Sequence, residues 1–120
     1  MRKTIEIPRE RWAKYLDDLS NREQDHPVRI EVEGQELGDQ ALSTKLPLMG
    51  ISLEEKGSEK DAIEITVADR GKGQTLTHLI ERPEHVYVEQ EGDRVRCVDI
   101  ENRAHVKTLI FFEDRRGAET

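Results

Sequence analysis

The side chains best suited to chemistry in this sequence are four histidines, His26, His78, His85 and His105, together with Cys97 and a scatter of serines and threonines. Only His78 and His85 lie close along the chain. With Cys97 and Glu89 they would form a zinc-like ligand set if the strands carrying them were neighbours. Zinc, however, needs three or four donors converging in tetrahedral reach, and no tight pair of ligands two residues apart supports the arrangement. The expectation is therefore no metal and no other cofactor, with histidines that are solvated or held by one hydrogen bond.

Nucleophilic catalysis requires a hydroxyl or thiol beside a base and an oxyanion donor. Ser52, Ser58 and Thr77 are available, and Thr77 adjoins His78, but neighbours along a strand point to opposite faces. Cys97 falls in an alternating strand, where a small buried thiol is the common case. The carboxylate pairs Glu54-Glu55 and Asp17-Asp18 read as solvated faces, so no catalytic residue is assigned. Arg70-Gly71-Lys72-Gly73 combines two glycines with two bases, yet no helix start follows to aim amide donors at a phosphate, and it reads as a turn.

The densest mixture of functional groups is Thr77 to Tyr87. If Leu76 and Ile80 face inwards, His78 shares their side; if Leu79 faces inwards, His78 and Ile80 lie outside. In one reading His78 anchors a strand corner and Pro83 ends the strand. In the other, a small polar ligand site forms around His78, Arg82 and His85 beside Gly50, where a missing side chain allows close approach.

These residues must be positioned by short elements. Pro8 suits the first position of a helix, and Trp12, Tyr15, Leu16 and Leu19 follow at spacings that make one apolar stripe. Ser20-Asn21 and the polar run to Pro27 end it. Beyond Pro27 the period changes to two, the mark of strands with one buried face. Val28 to Gly34, Met49 to Leu53 and Ile63 to Val67 alternate cleanly, and Asp69 to Gly73 supplies a hairpin loop. Thr75–Glu81, Val86–Glu91, Val95–Glu101 and Val106–Glu113 complete a meander. The apolar phase slips between Cys97 and Val98, which predicts a bulge or a corner. Leu109 to Phe112 is apolar at every position, which predicts burial on both faces, between helix and sheet. Residues 35–47 read either as a short helix capped by Asp39 or as an irregular strand, and the tail 115–120 as frayed.

The fold expected is α+β: an N-terminal amphipathic helix packed on a mostly antiparallel meander of six to seven short strands. These form a bent sheet or small barrel, with the helix covering an open side. At 120 residues one domain, 1–114, is expected. Leu, Ile, Val and Phe make up 29 of the 120 residues, enough to fold around a thin core.

The formal charge is −7, carried as +2 over residues 1–22, −7 over 23–70 and −2 over 71–120. A nucleic-acid binder draws most of its affinity from a basic face, so clustered acid argues against that class. No apolar stretch approaches the ~18 residues of a membrane span, and Glu6 and Pro8 interrupt any signal-peptide core. A lone Cys97 fits a reducing cytoplasm.

IEIPRERWAKYLDDLS at 5–20, LPLMGIS at 46–52, KGS at 56–58, AIEI at 62–65 and LTHLIERPEHVYVE at 76–89 resemble a family of short, stand-alone bacterial proteins catalogued only as a domain of unknown function. The resemblance covers nearly the whole chain in order. It implies a single cytoplasmic bacterial domain and carries no assigned activity or site residues. The function expected from the residues is a non-enzymatic interaction or assembly module that meets a protein partner or itself. The alternatives are a small-ligand or metal-binding domain centred on His78, Arg82 and His85, and an Sm-like RNA-binding ring.

Overall fold

The computed structural model describes residues 1–34, 38–57 and 60–114, excluding the side chains of 38–44. In chain order the elements are β1 (Arg2–Glu6), α1 (Trp12–Arg22), β2 (Pro27–Gly34), β3 (Gly38–Glu54), β4 (Ala62–Asp69), β5 (Gln74–Glu81), β6 (Pro83–Glu91), β7 (Arg94–Asn102) and β8 (Lys107–Phe112). Every strand pairing is antiparallel. The strands form one open sheet in the order β1-β6-β7-β8-β2-β3-β4-β5, so the α+β expectation holds with eight strands rather than six or seven.

The additional strand is β1. Its sequence, Arg-Lys-Thr-Ile-Glu, is exposed except at the half-buried Ile5, so it lacks the buried face that strand periodicity detects. Its pairing with β6 continues through Ile7, whose N–H donates to the Val86 carbonyl at 2.8 Å. That bond delays the helix. Pro8 caps a single 3-10 turn over Arg9–Arg11, and α1 starts only at Trp12. The Trp12 indole N–H donates to the Ile7 carbonyl at 2.8 Å and pins the junction.

α1 presents Trp12, Leu16 and Leu19 to the core, each at most 2 % exposed. Burying side chains of this size stabilises the fold by about 1.5–3 kcal/mol apiece. The sheet answers with Val28 and Ile30 of β2, Val86 and Val88 of β6, Val98 and Ile100 of β7, and Ile110 of β8. Leu48, Ile51, Ile63, Ile65, Val67 and Ile80 close the core from β3, β4 and β5.

β3 hinges the sheet. Its first part, to Pro47, pairs with β2, and its last part, from Leu48, pairs with β4. Residues 38–47 are therefore strand, with register shifts opposite Val28, Ile30 and Glu31, and the helical alternative for this stretch does not form; residues 35–37 and the tail 115–120 lie outside the described residues. Past Pro47 β2 no longer covers the edge of β3, and the C-terminal end of α1 takes over. Leu48 exchanges hydrogen bonds with Asp25 N–H and the His26 carbonyl, both at 2.9 Å. Gln24 Nε2 donates to the Met49 carbonyl at 2.7 Å. Ser20 Oγ accepts from Ile51 N–H at 2.8 Å and lies equally close to the carbonyls of Ile51 and Leu16.

Two further expectations resolve differently in kind. The phase slip in β7 is a register shift, with Glu89 opposite Cys97 and Gln90 opposite Val95, leaving Arg96 as the extra residue. β8 is not sandwiched between helix and sheet. It lies mid-sheet between β7 and β2, with Ile110 and Phe112 in the core and Leu109 and Phe111 half-buried on the outer face. There the Arg29 guanidinium lies 4.3 Å from the Phe111 ring centroid, and its stem supplies the apolar cover that the second face requires.

Ser20→Ala should lower the free energy of unfolding by about 1–2 kcal/mol, because the Ile51 N–H loses its partner in a nearly dry position. Urea denaturation measures it. An unchanged midpoint would show that the helix end does not seal β3.

Candidate functional site

The four site residues proposed from sequence occupy separate surroundings. Gly50 lies on β3 beside a shallow groove of about 440 Å³ lined by Asp17, Ser20, Gln24 and Thr66. What approaches it is Ser20, whose Oγ would sit 3.9 Å from an added Cβ, an ordinary contact. Arg82 is the corner at which the chain leaves β5 for β6, with φ of 53°. Its N–H donates to the Asp61 carbonyl at 3.1 Å and its carbonyl accepts from Arg103 N–H at 3.0 Å. His85 stands on the outer face of β6, where Nδ1 lies 2.8 Å from Glu6 Oε2 and the ring stacks on Tyr87 at 5.7 Å. The hydrogen bond to Glu6 raises its pKa, and the Glu6, Glu101 and Glu84 charges add to the effect.

His78 lies mid-β5 on the inward parity, opposite Ile65 and in line with Leu76 and the buried Ile80. The first of the two phases therefore holds, and Thr77 faces the other way. Burial lowers the His78 pKa from the ordinary histidine value. Glu89 and Cys97 are directly opposed on β6 and β7, but β5 pairs with β4 at the far end of the strand order. Among the described residues no group of three or more His, Cys, Asp or Glu side chains is placed to hold a metal ion. Burial pushes the Cys97 thiol up to about 12, with the Asp99 and Glu89 carboxylates adding to the shift. A thiol in that state has almost no nucleophilic thiolate at neutral pH.

Two polar anchors escaped the sequence reading. Asp61 is only 7 % exposed; one carboxylate oxygen accepts from Lys56 N–H at 2.9 Å and the other is paired with Arg9. The Arg9 guanidinium also lies 4.8 Å from the Trp12 ring centroid. Asp61 thus ties the entry to α1 to the start of β4, as Ser20 ties its end to β3.

The feature with most capacity for recognition is the edge of β5. Among the described residues β5 pairs with β4 alone. The Arg82 to Asp61 hydrogen bond extends the β5–β4 register and fixes its phase: even-numbered residues of β5 bond to β4. In an antiparallel ladder the alternate residues then direct N–H and C=O outwards. Thr75, Thr77, Leu79 and Glu81 present those groups. From Gln74 to Ile80 the strand carries no formal charge and no proline, its ladder with β4 has no register shift, and Leu76 and Leu79 are 39 % and 46 % exposed on its two faces. The opposite edge, β1, carries Arg2, Lys3 and Glu6, with Arg2 paired to Glu89 at 2.8 Å. Charged residues are the usual guard against strand addition, and β5 carries none before Glu81 at its end.

Fold and site together define a small α+β protein whose eight-stranded sheet has one guarded and one unguarded edge. The chain belongs to the family of unknown function DUF5335, whose model matches residues 3–120. An uncharacterized protein of the bacterium Aquifex aeolicus (strain VF5) is 32 % identical over 107 residues, covering 89 % of each chain. No solved structure matches. No helix among the described residues is long and apolar enough to cross a membrane.

Two outcomes follow from the titrations. Cys97 should react with a disulfide reagent about three orders of magnitude more slowly in the folded protein at pH 8 than in urea, measured by thiolate release. A fast native reaction would mean that the outer face opens. For His78 the folded pKa is below the unfolded value of 6.5, so the unfolded chain takes up the proton first on acidification. The stability contributed by the neutral ring is present above that value and is lost as pH falls towards the folded one. His85, raised by Glu6, acts in the opposite sense. His78→Leu should therefore show a shallower fall in Tm than the wild type between about pH 7.5 and 5, and an unchanged fall would mean that the ring is solvated.

Proposed function

We propose that the chain is a non-enzymatic interaction module that takes an extended strand on the free edge of β5. The observation that carries this reading is the contrast between its edges: β1 is blunted by Arg2, Lys3 and Glu6, whereas β5 offers four outward backbone pairs and two exposed leucines. Main-chain hydrogen bonds would supply affinity, and the alternating side chains on either face would supply selectivity. Leu79, Thr77 and Thr75 would read one side of the incoming strand, and Leu76 and His78 the other.

The cleft of about 330 Å³ next to Leu79, lined by Lys56, Lys60, Glu64, Glu81 and Arg82, lies on the same side as Thr77 and would receive a side chain projecting from that strand. Its mixed charges suit a polar residue better than an apolar one. Nucleic acid fits poorly, since the edge carries no base and the chain as a whole carries −7.

A matched pair of proline variants tests this. Thr77→Pro removes an outward N–H from β5 at the loss of one exposed hydroxyl contact to Thr66. Thr4→Pro removes the equivalent outward N–H from β1, where Ile7 and its alternates bond to β6. Native mass spectrometry of gently purified protein should show the bound strand-bearing species lost in Thr77→Pro and kept in Thr4→Pro. Identical assemblies in both variants would sink the reading.

A further inference from the structure

We infer that the cleft where the end of α1 meets the β6–β7 hairpin binds a phosphoryl group, free or on a small monoester, between Arg22, Arg94 and Arg96. The cleft has a volume of about 310 Å³, and Phe112 of β8 also lines it. That is the lower end of the range for small-ligand sites. It lies apart from the β5 edge and does not depend on the use proposed for that edge.

Two clefts that share Arg96 and Phe112 bring five arginines to this end of the sheet, and they divide by what holds them. Arg2 is paired with Glu89 at 2.8 Å and Glu91 at 4.0 Å, and Arg29 with Glu31 at 2.7 Å and Glu113 at 3.2 Å. Arg22 and Arg94 are exposed and make no ion pair among the described residues. Arg96 reaches only Glu91, at 4.0 Å, a carboxylate it shares with Arg2. Its Nε is buried without a hydrogen-bond partner, while 26 % of the side chain stays exposed. A buried donor without an acceptor is unfavourable. An anion on the same guanidinium neutralises a charge whose hydration the burial has already reduced.

Arg96 owes its place to the bulge in β7. It is the extra residue between the Glu89–Cys97 and Gln90–Val95 pairs, and a bulge of this kind re-aims a side chain out of the ladder's alternation. The end of α1 adds Arg22, and the start of β7 adds Arg94. A carboxylate has two oxygens in one plane and is satisfied by a single guanidinium fork. A phosphoryl group presents three acceptor oxygens that do not share a plane with their bridging bond, so guanidinium groups from separate elements can engage it together. Of the two carboxylates in the lining, Glu23 is drawn to His26, with Oε2 2.9 Å from Nδ1. Asp93, in the hairpin turn, is the other. Three arginines against these two acids leave the cleft with one net positive charge, in a chain that carries −7.

Titration of the full chain with inorganic phosphate and with phenyl phosphate, followed through the arginine Nε–Hε signals by NMR, reads the site directly. The signals of Arg22, Arg94 and Arg96 should shift and saturate, those of Arg2 and Arg29 should stay, and acetate at equal concentration should move none. Arg22→Gln and Arg94→Gln change exposed side chains and should each weaken binding by about tenfold. Arg96→Lys keeps the charge, loses the fork and should weaken it comparably; should that variant fail to fold, the two exposed variants read the same cleft. Asp93→Asn should tighten binding by roughly fivefold. Tighter binding of phenyl phosphate than of inorganic phosphate assigns the site to a monoester, and equal affinity assigns it to the free anion. The proposal is overturned by the lack of saturation up to ~20 mM at physiological salt. It is equally overturned if acetate acts as phosphate does, or if phosphate binding is indifferent to Arg22→Gln and Arg94→Gln.

Discussion

The architecture depends on one mismatch of lengths. β3 runs for 17 residues, whereas its neighbour β2 runs for eight, so the last part of β3 would leave backbone donors and acceptors bare along one side. Unpaired groups of this kind cost about 1–3 kcal/mol each when buried, and Leu48 and Ile51 are almost fully buried. The C-terminal end of α1 meets the demand with Ser20, Gln24 and the main chain of Asp25 and His26. A helix is thus held as the lateral neighbour of a strand. The sheet can bend at β3 because the gap opened by the bend is filled by groups that mimic a ladder.

The same helix is tied at its other end by Arg9 and Asp61, and between the two ties it delivers Trp12, Leu16 and Leu19 to the core. Asp61 also accepts from Arg82, where the chain turns from β5 into β6. The position of β5 is therefore coupled to the seating of α1 through one residue, whose main-chain carbonyl takes Arg82 N–H and whose carboxylate takes Arg9. This coupling makes the free edge a rigid template, because β5 needs to be held on one side only if β4 and the Arg82 corner fix its register.

Much of this order was legible in the sequence. The stripe from Trp12 to Leu19 and the period-two runs of β2, the end of β3 and β4 showed themselves because each has one face that must be dry. β1 escaped because an edge strand with a single half-buried residue has no such face. β8 misled because its outer face is covered at Phe111 by the stem of Arg29, 82 residues away in the chain, an apolar cover that hydropathy scores as charge. Asp61 and Ser20 escaped for a related reason: their roles depend on partners 52 and 31 residues away. The free edge could not be read at all from local pattern. Which strand ends the sheet is set by the order β1-β6-β7-β8-β2-β3-β4-β5, a property of long-range pairing, and only afterwards does the uncharged run 74–80 acquire meaning.

That run stands out against the rest of the molecule. Charged residues make up 38 % of the sequence, and most strands bear them on the outward parity: Arg29 and Glu31 on β2, Glu64 on β4, Glu89 on β6, Asp99 and Glu101 on β7. Such a surface repels its own kind and keeps a thin-cored protein dispersed. An uncharged strand in the interior of a sheet needs no comment, because its neighbours cover it. At an edge it removes both the repulsion and the desolvation cost that would otherwise oppose a new strand. His78 refines the point. A half-buried ring with a lowered pKa stays neutral in the folded protein near pH 7, so the only titratable side chain between Gln74 and Ile80 keeps the edge uncharged under the conditions in which the strand is offered.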